Sequence, residues 1–167
     1  DRPAPALPKA SPTLQITPVA TAASLPGGAA VTLNNVRFTG NTVFSAEQLN
    51  TALSNAAGKS YDFAGLQALA QKISEHYRAA GYPFARAIIP EQTFADGVLE
   101  IAVIEGRYGK VSASGDSRFA SDAQGFLKAL VPGTVIASKQ LERTTLILND
   151  QPGIKTAPLV RPGQEFG

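Results

Sequence analysis

Apolar and polar positions alternate most clearly over residues 98–104. Leu99, Ile101 and Val103 fall on one face at a period of two, and the stretch is rich in β-branched residues, which predicts a strand. Val98, Ala102 and Ile104 make the opposite face partly apolar, with Glu100 as the polar exception. That pattern suits the middle of a sheet covered on more than one side. Residues 84–89 read as the other arm of a hairpin, with residues 93–97 as its loop and Asp96-Gly97 as the turn pair. Pro90 has no amide hydrogen for a ladder, so this arm is expected at a sheet edge, at least at its far end.

Upstream, residues 31–38 read as a strand. Val31 and Leu33 share one phase and Val36 and Phe38 the other. The slip at Asn34-Asn35 is either a bulge or a late strand start at Val36. Ser45 with Gln48 three residues later is a capping box, and Phe44 before it is placed to staple to Leu49. Leu49, Ala52, Leu53 and Ala56 form the apolar face of this helix, and Gly58 is its expected stop. Asp62 caps a second helix with Leu66, Leu69, Ile73 and Tyr77 on its buried face; Gly81 ends it and Pro83 forbids its continuation. The expected core is Leu53, Leu69, Ile73, Leu99, Ile101 and Val103.

The order strand, helix, helix, strand, strand over residues 31–106 then begins again. Residues 108–113 read as a short strand. Ser121 with Gln124 reads as a second capping box, before Phe126, Leu127 and Leu130, and Pro132-Gly133 closes that helix. Ser138 is the expected cap of a further helix carrying Leu141, Thr145 and Leu148, and residues 154–160 read as a strand. Residues 162–167 read as the following turn. The pattern predicts two repeats, joined near residues 106–109, the second lacking its last strand. Residues 1–30 differ: Pro3, Pro5, Pro8, Pro12, Pro18 and Pro26 fall among alanine, serine and threonine. That composition predicts an extended tail or linker, with Leu14-Gln15-Ile16 its one stretch that could dock.

Composition removes whole classes of chemistry. The 167 residues include no cysteine, which excludes disulfides, thiolate metal sites and cysteine nucleophiles. The net charge of +2 gives no case for nucleic acid. By segment the balance is +1 over residues 1–30, −2 over 31–106 and +3 over 107–167, and the sign change near Gly106 fits a boundary there. No run of apolar residues is long enough for a membrane-spanning helix. The first residues lack a basic start followed by an apolar core, which fits a processed start or a cytosolic chain. His76, the one histidine, reads as a solvated helix position. Glu91, Asp96, Glu100 and Glu105 read as a solvated face of the hairpin rather than an acid–base pair. Ser112, Ser114 and Ser117 near Asp116 lack a base. Arg107, Lys110 and Arg118 read as solvated charges, and Gly106-Arg107-Tyr108-Gly109 as a hinge. No convergent titratable site is offered, so no enzyme, cofactor or metal is expected.

The segment Val36-Arg37-Phe38-Thr39-Gly40-Asn41-Thr42-Val43-Phe44 resembles the opening of a polypeptide-transport-associated (POTRA) module. Tyr77-Arg78-Ala79-Ala80-Gly81-Tyr82-Pro83-Phe84-Ala85 resembles the exit of its second helix. Ile89-Pro90-Glu91-Gln92, Gly97-Val98-Leu99-Glu100-Ile101 and Glu105-Gly106-Arg107 are similar to the form found in two-partner secretion transporters. Leu141-Glu142-Arg143 and Leu148-Asn149-Asp150-Gln151-Pro152-Gly153 match the same family in the second repeat. The resemblance implies an α+β fold of tandem βααββ modules, residues 31–106 and 107–167, each a three-stranded mixed sheet on two helices, the second truncated. It implies a place on the periplasmic side of a Gram-negative outer membrane, and a β-barrel in the same protein beyond this stretch. It further implies a receptor for an unfolded secreted adhesin, haemolysin or toxin; a general outer-membrane assembly factor and a periplasmic enzyme are the alternatives. The expected partner site is the edge arm, Phe84, Arg86, Ala87, Ile88 and Ile89, with Tyr77 of the adjoining helix. An extended chain would bind there by strand addition. Arg86 is either a contact for that chain or a guard against edge-to-edge aggregation.

Overall fold

Two edge strands share one central partner. The computed structural model describes residues 29–115 and 117–161. Its elements are β1 (Val31–Thr32), β2 (Asn35–Thr39), α1 (Ala46–Ala52), β3 (Ser60–Tyr61), α2 (Phe63–Ala79), β4 (Arg86–Ile88), β5 (Val98–Ile104), α3 (Ser117–Phe126) and α4 (Ser138–Asn149). The main sheet has the order β2-β5-β4. β5 is parallel to β2, with Val36 opposite Leu99 and Phe38 opposite Ile101, and antiparallel to β4, with Ala87 opposite Val103. The strand predicted to be central is central, and the arm ending at Pro90 lies at an edge.

Alternation along β5 buries Leu99, Ile101 and Val103 and leaves Val98, Glu100, Ala102 and Ile104 half-buried. Both helices pack on the first of these faces. Leu49 and Leu53 from α1, and Leu66, Leu69, Ala70, Ile73 and Tyr77 from α2, form one cluster with Val36, Phe38 and the inward side of β5. All six expected core residues belong to it. Ser45 closes a complete capping box with Gln48, and Asp62 accepts from the Gly65 amide to cap α2. The ring of Phe44 lies against His76, Tyr77 and Tyr82.

The slip at Asn34-Asn35 is a change of sheet, with a late start to the main strand. β1 pairs with β3 in a separate two-stranded ribbon, and β2 begins at Asn35. Between them Leu33 is fully buried, its amide bonded to the Lys59 carbonyl. The Asn34 amide donates to Gly97 and its side chain to the Asp96 carbonyl, which docks the hairpin turn onto the junction. Asp96 and Gly97 adopt φ of 57° and 66°, as a two-residue turn of this hand requires. A Cβ on Gly97 would lie 2.5 Å from the Thr32 carbonyl oxygen, so close approach also demands glycine there.

α1 is shorter than predicted. It ends at Ala52 rather than running to Gly58, because Ser54 and Asn55 turn into the left-handed region. That turn returns Ala56 to the core and brings the Gly58 amide to the Leu33 carbonyl.

Beyond Gly106 the predicted helices form and the predicted strands do not. α3 begins before Ser121, so Ser121 lies inside the helix instead of capping it, and Gln124 bonds to Val111 and Ala113 instead. α4 starts at Ser138 itself, after an N-cap at Ala137. Leu127–Ala129 continues α3 as a 3₁₀ turn. Residues 108–113 and 154–160 carry no strand. In the first unit both outer strands pair only with its last one. Among the described residues the later segments have no such central strand, and an isolated strand leaves its backbone groups unpaired. Tyr108, Leu130 and Ile136 form a second, smaller cluster with Val111, Leu127 and Leu141. Of the expected tail over residues 1–30, Ala29 and Ala30 are exposed and belong to no element; residues 1–28, including Leu14-Gln15-Ile16, and the turn over residues 162–167 lie outside the described residues.

Candidate functional site

The six expected partner-binding residues separate into three environments. Arg86 and Ile88 have the phase opposite to core-packed Ala87, and Phe84 lies in the turn before the strand; Phe84 and Ile88 are 42% and 40% exposed. Ala87 and Ile89, of opposite phase, pack half-buried against the core. The succession Ile88-Ile89 therefore offers only one apolar side chain outward. Tyr77 is fully buried and meets nothing outside the fold.

The backbone of this edge is not free throughout. The Ala87 amide donates to the Ser74 hydroxyl of α2 at 2.8 Å, and the Ala85 amide donates to the Tyr82 carbonyl. Past Pro90, the Gln92 side chain takes over the role of a strand. Its carboxamide oxygen accepts from the Glu100 amide and its nitrogen donates to the Glu100 carbonyl, both at 2.8 Å. A side-chain amide thus continues the β5 ladder where proline stops it.

A second polar construction lies where β5 ends. The Glu105 side chain is 1% exposed. One carboxylate oxygen accepts from the amides of Thr42 and Val43, at 2.7 and 2.9 Å, and from the Tyr77 hydroxyl at 2.9 Å. The other accepts from the Thr42 hydroxyl and from Arg107, the latter at 3.0 Å. Burial alone would push the Glu105 carboxyl up, but the bonds from Thr42, Val43 and Tyr77 outweigh it and hold it below the usual carboxylate range. Burial, then the bond to Glu105 and its charge, pushes the Tyr77 hydroxyl well above the usual range. Arg107 also donates to the Thr42 hydroxyl at 2.9 Å and to the Gly133 carbonyl at 2.8 Å.

This sheet order, the packed helix pair and the Glu105 anchor at the end of β5 fall within one stretch of chain. Residues 31–106 match the family model described as POTRA domain, ShlB-type. They are a POTRA domain of the ShlB type. The chain is 31% identical over 126 residues to the heme/hemopexin transporter protein HuxB of Haemophilus influenzae, spanning 72% of this chain and 22% of that protein. It is 29% identical over 129 residues to the outer membrane transporter CdiB of an Escherichia coli strain, spanning 77% of this chain and 21% of that protein. The solved structure of CdiB from Escherichia coli superposes with a TM-score of 0.74 at 22% identity, over 90% of this chain and 28% of that one. The chain thus spans about a fifth of the length of these curated relatives.

Other candidate residues of the POTRA domain do not converge. Glu91 and Glu100 border a shallow, open cavity of about 550 Å³ with Gln92, Thr93 and Val98. Asp96 lies exposed in its turn. His76 is half-buried against Phe44, ring centroids 4.8 Å apart. Among the described residues no three potential metal ligands cluster, and no helix is long and apolar enough to cross a membrane. Ser112 and Ser114 are exposed; Asp116 and the side chains of Ser117 and Arg118 lie outside the described residues.

Two expectations at the end of the domain are corrected. Glu105 is buried rather than solvated, and Arg107 is tied at both ends of its guanidinium. The signal was in the period-two pattern, since Glu105 continues the inward phase of Leu99, Ile101 and Val103. A carboxylate in that phase must find donors inside the fold.

Proposed function

We propose that this chain is the periplasmic region of a two-partner secretion transporter, and that residues 107–161 open a second POTRA module. Its POTRA domain receives an unfolded secreted polypeptide at β4. The observation that carries this reading is the outermost strand itself. It presents Arg86 and Ile88 on the side away from the core cluster, and Phe84, in the turn just before it, is exposed as well. Exposed apolar side chains in line along an edge suit an extended apolar segment. Because Ser74 already holds the Ala87 amide, side chains supply most of the contact and backbone pairing less. The resemblance of the chain to HuxB and CdiB supports the transporter setting.

The test is a search of the neighbouring genes for a large secreted protein, with binding of its secretion segment then followed by fluorescence anisotropy. Phe84→Asp combined with Ile88→Asp should weaken binding by roughly tenfold or more, which is about 1.4 kcal/mol. An unchanged affinity in a variant that keeps its circular dichroism spectrum would remove β4 as the receiving surface. Proline at Ala87 is a poor probe, since it deletes the bond to Ser74 and perturbs the fold first.

A further inference from the structure

The junction after β5 was expected to be a hinge, yet it is bonded on every side. The Gly106 carbonyl accepts from the Ile136 amide at 2.8 Å. Tyr108 donates to Thr134 and accepts from Gly133, and Arg107 faces Val135 across an antiparallel bridge. The Ser138 amide at the start of α4 donates at 2.9 Å to the Gly81 carbonyl, just beyond α2. Gly106 packs directly against Phe84 and has no room for a side chain, because a Cβ there would lie 2.5 Å from that of Phe84 and 2.8 Å from its carbonyl oxygen.

Among these contacts the Arg107 side chain is the one that ties three chain segments through a single group. One guanidinium nitrogen holds Thr42 and Glu105 of the first unit; the other holds Gly133, in the loop before α4. Glu105 is in turn fixed by Thr42, Val43 and Tyr77, so the anchor does not move with the loop. A planar fork with both arms engaged transmits orientation, which a point charge on a flexible stem does not. We propose that Arg107, seated on Glu105, is a positioning residue that locks the angle between the first unit and the helices α3 and α4, making the junction a fixed elbow.

The chain has no cysteine, so a spin label can be placed cleanly on each side. Lys72→Cys on α2 and Arg143→Cys on α4 are exposed and outside the junction. Double electron–electron resonance on the doubly labelled full chain should give a single narrow distance distribution. Arg107→Ala should broaden it or add a second distance, while circular dichroism shows the helices intact. Arg107→Lys, which keeps the charge without the fork, should give an intermediate width and decides the matter if the alanine variant does not fold. A broad distribution in the parent, or variants as narrow as the parent at the same distance, would overturn the lock.

Discussion

Replacing Glu105 by alanine tests the buried anchor directly. The substitution strips five donated bonds from one site and leaves the Thr42 and Val43 amides and the Tyr77 hydroxyl without their acceptor. Each buried group left unpaired costs about 1–3 kcal/mol, whereas Arg107, its side chain 36% exposed, is rehydrated when its partner goes. These figures overlap rather than add, because water entering the vacated space repairs some of the amides. The three orphaned donors together set the expected loss at about 3–5 kcal/mol, a large share of the roughly 5–15 kcal/mol that holds a domain together. Urea unfolding of the full chain, followed by far-ultraviolet circular dichroism, measures it; Glu47→Ala on the exposed face of α1 is the control. A loss no greater than that of the control would refute the anchor. The pH dependence supplies a second reading. Glu105 is held below its ordinary pKa, so its contribution is complete above about pH 4.3 and disappears as pH falls through the lower folded value. The gap between the parent and Glu105→Gln should narrow over that acid range. A gap that stays constant with pH would mean that the charge does not stabilise the fold.

Truncating Leu69 or Ile101 to alanine should cost about 2–5 kcal/mol in the same urea experiment; surface-like losses at both would show the packing to be misassigned. Gly97→Ala should destabilise by more than about 1 kcal/mol, since φ is 66° and the Thr32 carbonyl blocks the new methyl. Gln92→Ala should speed hydrogen exchange at the Glu100 amide, and an unchanged rate would deny the side chain its place in the ladder. Deleting residues 1–30, chosen on their proline spacing, should change thermal unfolding by less than about 1 kcal/mol.

Period and capping chemistry made the first unit legible. The inward phase of β5, the Ser45–Gln48 box and the Asp62 cap each fixed an element with local information. Residues beyond Gly106 were harder for a physical reason. A stretch such as residues 154–160, already interrupted by Pro158, becomes a strand only beside another strand, and no local pattern reports whether that partner is there. Ser121-Gln124 satisfied the spacing of a cap, yet Gln124 found better partners in the backbone of Val111 and Ala113. At the candidate site, the edge position followed from Pro90, whereas the Ser74 bond to Ala87 joins residues 13 apart and has no sequence signature. Glu105 was misplaced because its charge was weighed ahead of its phase.

The central strand of the first unit is also the last one made. β2 cannot pair until β5 exists, and Thr42 waits for Glu105, 63 residues further on. Closing so long a loop before any sheet contact forms raises the entropic barrier, and parallel pairing of this span is intrinsically slow. If the chain is delivered from its N-terminus, α1 and α2 emerge first and their apolar faces stay uncovered until residue 104 has arrived. During that interval β2 and β4 are unpaired on both sides, so the unit is most prone to wrong association just before completion. The helical residues, not the sheet, must therefore supply whatever order the incomplete unit has.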